Sequence, residues 1–165
     1  LSRNISVSPV SPADLKSEIK RIASSRSSFI KMCIGSVLAA GGFAFFFGGS
    51  LADAAVSALF GAFICLLQNK LAPLLPNKVF YYFFSSLITG LLICASVQIL
   101  PMLHRDKIMI GDIMLLIPGI AITTAARDML TGDTISGVQR LAESLIWATA
   151  LAGGFITSIA VFGGF

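Results

Sequence analysis

The chain has 165 residues, of which 56% are hydrophobic and 12% charged, with a formal net charge of +4 and a mean hydropathy of +0.89. Soluble domains carry roughly 25% charged residues, and one of this length has too little interior to hide so much apolar side chain. Composition therefore excludes a soluble globular protein and predicts an integral membrane protein whose environment is the lipid bilayer, with no call for a nucleic-acid partner.

Residues 1–28 are the hydrophilic part and are expected to form a separate cytoplasmic segment ahead of a membrane domain over 29–165. Within them "SPADLKSEIKRIASSR" predicts a helix. Ser11 is placed to cap it, Pro12 suits its first position and Asp14 gives a capping-box spacing. Leu15, Ile19, Ile22 and Ala23 share one face, suited to packing on the membrane domain or to lying on anionic lipid. The chain begins at Leu1 rather than Met, as a fragment of a longer protein would, and its polar start does not read as a signal peptide.

Five apolar segments follow, at 29–47, 52–68, 79–100, 108–126 and 135–162. Each is set against a spanning requirement of roughly 17–25 residues. The runs do not alternate, and lipid permits only helices or closed barrels. The expected fold is all-α: a polytopic transmembrane helical bundle of five spans, with the fourth broken at Pro118-Gly119. Arg3, Lys16, Lys20, Arg21, Arg26, Lys31, Lys70, Lys78, Arg127 and Arg140 fall on one side of such a bundle, and Arg105 and Lys107 on the other. By the positive-inside rule the N-terminus is cytoplasmic and the C-terminus outside. Gly35/Ala39, Ala40/Ala44, Ala148/Ala152 and Ala150/Gly154 have the spacing of close helix contacts, within the bundle or to another subunit. Cys33, Cys65 and Cys94 sit in apolar stretches and match no metal spacing.

No nucleophile–base pair, metal set, cofactor motif or nucleotide-binding loop is visible, so neither an enzyme nor an ATP-driven pump is predicted. The single histidine, His104, reads as a solvated loop residue. The fourth segment is different. Pro118 removes an amide hydrogen and clashes with the preceding turn. If the helix breaks there, the amides from Gly119 through Ile120 to Ala121 are freed at mid-membrane, where a carboxylate would bind. Thr123 and Thr124 would add hydroxyl donors. A plain proline kink is the other reading.

Three acids and two arginines follow, Arg127, Asp128, Asp133, Arg140 and Glu143. Gly132 is expected to end one helix and Asp133 or Thr134 to cap the next. Arg140 and Glu143, three apart, can pair. The group reads either as interfacial capping and ion pairing or as a cytoplasmic gate and proton-coupling network. Asp53, three after Ser50, reads either as a capping-box residue or as a proton site at the outer mouth.

"IMLLIPGIAITTAARDMLTGDTISGVQRLAES" resembles the signature of the threonine/serine exporter family, in its N-terminal-half (YjjP-like) membrane subunit. The resemblance rests on Pro118, Gly119, Thr123, Arg127, Asp128, Gly132, Asp133, Ser136, Gly137, Arg140 and Glu143, and on Gly48, Gly49 and Asp53 in "GGFAFFFGGSLADA". Thr124 departs from it, standing where Asn or another polar residue is usual. The resemblance implies a multi-pass protein of the bacterial inner membrane that exports threonine, serine or a similar metabolite. It also implies proton-gradient drive and a second hydrophobic exporter subunit as partner. A dicarboxylate such as succinate is the alternative substrate, and a non-transporting scaffold the alternative role.

Overall fold

The computed structural model describes residues 29–75 and 77–163, so the helix expected within 1–28 lies outside the described residues. Cys33–Phe165 forms one compact unit. Among the described residues there are six helices and no strand: α1 Phe29–Phe46, α2 Leu51–Lys70, α3 Lys78–Ile99, α4 Arg105–Leu116, α5 Gly119–Leu130 and α6 Thr134–Val161. Four of them, α1, α2, α3 and α6, are each long and apolar enough to cross a membrane. The pair α4 and α5 passes the same test only when taken together, and its 52° bend at the break is the geometry of a broken span or a re-entrant loop. The fourth apolar segment is thus two half-helices.

Local chemistry sets the helix ends. Gly48 ends α1 at φ +85°, a left-handed conformation that glycine adopts without Cβ strain. The Gly49 amide then reaches the Ala44 carbonyl at 3.0 Å and the Gly48 amide that of Phe45, a Schellman closure. Gly132, at φ +95°, closes α5 the same way, with Asp133 N donating to Asp128 O at 2.9 Å. Ser50 and Asp53 form the expected capping box at the start of α2, and Asp133 caps α6 by accepting from Ser136 N at 3.4 Å. Replacing Ser50 with Ala should lower stability by about 1 kcal/mol. Thermal melting of the purified protein in detergent would show this, and an unchanged midpoint would mean the cap contributes nothing.

Lipid gives helices no hydrophobic reason to associate, so close packing of small residues carries the bundle. On α3, Ser86 and Gly90 are one turn apart, as are Gly154 and Ser158 on α6. The two pairs are reciprocal: a Cβ on Gly90 would strike Ser158, and one on Gly154 would strike Ser86 and the Phe83 carbonyl. Ser86 and Ser158 donate their hydroxyl hydrogens to the Phe83 and Phe155 carbonyls of their own helices, so neither of these two hydroxyls is left an unpaired donor. A second seam joins α1, α2 and α4. Gly61 lies against Ala40 and the Ser36 carbonyl, and Gly111 against Ser57, Ala44 and the Ala40 carbonyl. Gly137 brings α6 onto α5 at the Ala125 carbonyl.

Of the small-residue spacings read from the sequence, Ala40 and Ala44 are fully buried in these contacts and Gly154 is buried in the α3–α6 seam. Gly35 faces open space, with nothing within 4 Å of its Cβ position. Ile30, Ile34, Leu38, Phe45 and Phe46 of α1 are exposed, as lipid-facing side chains are.

Candidate functional site

The site begins at the break. Pro118 has φ −75° and ψ 58°, and the Gly119 amide donates to the Ile117 carbonyl at 2.8 Å, an inverse γ-turn. The Gly119 amide is therefore engaged, not free as the sequence reading expected. The first turn of α5 is otherwise open. Its earliest regular bond is Ile122 N to Pro118 O at 3.1 Å, which leaves the Ile120 and Ala121 amides without a hydrogen bond among the described residues. Thr123 and Thr124 turn their hydroxyl hydrogens back onto the carbonyls of Gly119, Ile120 and Ala121. They are not spare donors; each presents an oxygen acceptor instead.

Next to this break lies a cavity of about 900 Å³, within the roughly 300–1,000 Å³ typical of small-molecule sites. Pro118, Gly119, Ile120, Ala121 and Thr124 line one wall, with Leu115 and Leu116 of α4. Ser136, Gln139, Arg140, Glu143 and Trp147 of α6 line another, facing Lys78, Tyr81 and Tyr82 of α3 and Ile64 and Gln68 of α2. Thr123 is exposed and outside the cavity. The cavity thus holds two cations, Lys78 and Arg140, one anion, Glu143, and two open backbone donors. Lys78 Nζ sits 4.4 Å from the Trp147 ring centroid, and Trp147 stacks on Tyr82 at 5.9 Å. The cation and the aromatic pair hold one another in place.

The charge cluster divides. Arg140 Nε lies 3.4 Å from Asp128 Oδ2, and Arg127 Nη2 lies 3.8 Å from Asp128 Oδ1. Arg140 therefore pairs with Asp128 of α5 and not, as its spacing suggested, with Glu143 on its own helix; Glu143 makes no ion pair among the described residues. The Asp128–Arg140 pair ties α5 to α6 at the rim, while Asp133 serves as a cap. Arg140 and Glu143 reach the cavity; Arg127, Asp128, Asp133 and Asp53 do not.

Asp53 belongs to the other end of the bundle. Its carboxylate accepts from Ser50 N and Ser50 Oγ, both at 2.8 Å, and from His104 N at 2.8 Å, and it lies 3.0 Å from His104 Nδ1. His104 is consequently a tether between α2 and the start of α4, beyond the solvated loop residue its position suggested. Sequence reasoning passed over Asp112, which is fully buried on α4 and accepts from Ser57 Oγ at 3.2 Å. The signal was present: an ionisable residue inside an apolar segment. Lys78, Tyr82 and Trp147 carried no such signal, because they meet only through the packing of α3 on α6.

A family model described as "Putative threonine/serine exporter" (ThrE) matches residues 1–162. The chain belongs to this family. No curated protein and no solved structure matches it. The ThrE match and the apolar helices together make it a multi-pass membrane protein of an exporter family, and the stretch from Pro118 to Ala121 within the matched region lines the cavity.

Proposed function

We propose that the chain binds threonine, serine or a closely related small carboxylate in the cavity at the α4–α5 break and exports it from the cytoplasm across the bacterial inner membrane. The observation that carries this reading is the meeting of the open Ile120 and Ala121 amides with Lys78, Arg140 and Glu143 in one cavity. Open amides at a half-helix N-terminus and nearby cations suit a carboxylate. Glu143 and the Tyr82–Trp147 face suit an ammonium group. The walls come from α2, α3, α5 and α6 near Gln68, Lys78 and Arg140, on the lysine- and arginine-rich side, so in this reading the cavity loads from the cytoplasm. Proton drive and a second hydrophobic subunit complete the proposal. Ile120, which lines the cavity, is 83% exposed, and a partner helix laid over it would close that side.

A dicarboxylate is the second reading, favoured by one observation: the cavity holds two cations against one anion. Glu143→Gln separates the two. It removes the one acidic group among the described residues that line the cavity and should weaken threonine binding about tenfold, the size of one charge-assisted hydrogen bond, while leaving succinate binding equal or tighter. Equilibrium binding of both labelled compounds to purified protein tests this. Equal loss for both would discard the ammonium role of Glu143, and no binding of either by the unaltered protein would discard the site.

A further inference from the structure

Asp112 and Asp53 are both fully buried carboxyls, and they are built for opposite purposes. Asp53 has its oxygens filled by Ser50 and His104 in four contacts of 2.8–3.0 Å, three of them from Ser50 N, Ser50 Oγ and His104 N. A proton added there would disrupt a cap and a tether. Asp112 has one neutral donor, Ser57 Oγ on Oδ1, and its Oδ2 has no hydrogen-bond partner. Buried polar atoms are nearly always satisfied, so an orphaned carboxylate oxygen calls for a reason. Seven residues separate it from the start of α4, which places it about 10 Å along the helix.

Among the described residues no cation pairs with Asp112. From α2 it meets Ser57, with Asp53 one turn further out and already engaged. From α1, the Gly111 contact brings Ala40 and Ala44, which carry no charge. The titratable groups on the buried face of α3 are Tyr81 and Cys94. On α4 itself Arg105, Asp106 and Lys107 stand in the first turn, and Lys107 pairs with Asp106 at 3.4 Å. One turn toward the break, about 6 Å along the axis, Leu116 is buried and lines the cavity.

We propose that Asp112 is the proton-carrying carboxyl of transport, with Ser57 as its positioning residue. This rests on the exporter reading above, proton drive included, and names the group that carries the proton. Uptake adds one proton to the open Oδ2 and cancels one negative charge; release returns both, and the Ser57 hydroxyl remains a donor to Oδ1 throughout. Asp112 and the open amides of Ile120 and Ala121 lie on the two arms of the bent pair, joined only by Ile117 and Pro118. A change in how Asp112 holds α4 to α2 is therefore transmitted to the substrate end through a two-residue hinge. A metal cation is the rival occupant, but just two protein side chains converge here, fewer than the oxygens such ions gather.

The test uses the full chain with its partner subunit in proteoliposomes, and the purified chain in infrared difference spectroscopy between acid and alkaline pH. Asp112→Asn should lose pH-gradient-driven accumulation of labelled threonine while keeping threonine–threonine exchange, and should lose a titrating carboxyl C=O band that the unaltered protein shows. Ser57→Ala, a milder change, should shift the pH profile of accumulation, which a merely structural contact would not. Gradient-driven accumulation by Asp112→Asn at the unaltered level overturns the proposal and leaves the exporter reading standing; accumulation driven by a sodium gradient without a pH gradient overturns the proposal and the proton drive of that reading, and leaves its substrate site standing. If the unaltered protein moves no threonine or serine, the exporter reading fails, and the infrared band still decides Asp112: a band absent from the unaltered protein overturns the proton site.

Discussion

Replacing Pro118-Gly119 with Ala-Leu is expected to abolish export while the protein still inserts. An alanine at 118 regains an amide hydrogen, which can reach the Met114 carbonyl, and loses the ring that clashes with the preceding turn. The interior proline costs a helix about 3 kcal/mol, and removing it favours one continuous helix over the 52° bend. Ile120 and Ala121 would then donate to Leu116 and Ile117, and the cavity would lose both open amides. Leucine at 119 is sterically acceptable, since nothing lies within 4 Å of the Cβ position and φ there is not positive. The same fact yields a control. Gly119→Ala alone should keep export, because the proline and not the glycine makes the break. Export of labelled threonine, with membrane yield measured alongside, checks both. Full export by the double variant would show that the open amides play no part.

The largest effect on folding is expected from Gly154→Val. The Cβ position at 154 is 2.5 Å from the Phe83 carbonyl oxygen and 2.9 Å from Leu87 N, backbone atoms that cannot rotate away. Admitting a side chain means parting α3 from α6, and with it the Ser86–Gly154 and Gly90–Ser158 contacts. Overpacking usually costs about 1–3 kcal/mol, and a clash with backbone belongs at the upper end. Little monodisperse protein should be recovered, and what is recovered should melt early. Gly153→Ala, one residue away, meets only the Phe83 ring at 3.7 Å and should behave as the unaltered chain. Equal stability of the two variants would mean that the α3–α6 seam does not hold the bundle.

Much of this architecture is legible in the sequence because lipid simplifies the problem. Every backbone polar group must be satisfied within the segment, so apolar length alone marks α1, α2, α3 and α6. Pro118 marks the break because its missing amide hydrogen is a local fact. Ser50, Asp53, Gly132 and Asp133 are legible for the same reason, since capping depends on spacing along one chain. Contacts between helices are not local. Arg140 could pair with Glu143 by spacing, but α5 lies against α6 and brings Asp128 to it instead. His104 is exposed, as its loop position suggests, but its bond to Asp53 is not legible, because Asp53 lies 51 residues away in sequence. The γ-turn that engages the Gly119 amide, and the back-bonded hydroxyls of Thr123 and Thr124, depend on backbone detail that residue types do not specify.

Uptake of labelled threonine, serine and succinate into proteoliposomes tests the account most directly, with the second hydrophobic subunit present or omitted and with or without a pH gradient. The account predicts saturable flux of threonine or serine that requires both chains and the gradient, and that Pro118-Gly119→Ala-Leu abolishes. Flux that fails to saturate, or no flux of any of the three from correctly inserted protein, would contradict it and favour a channel or a scaffold in its place.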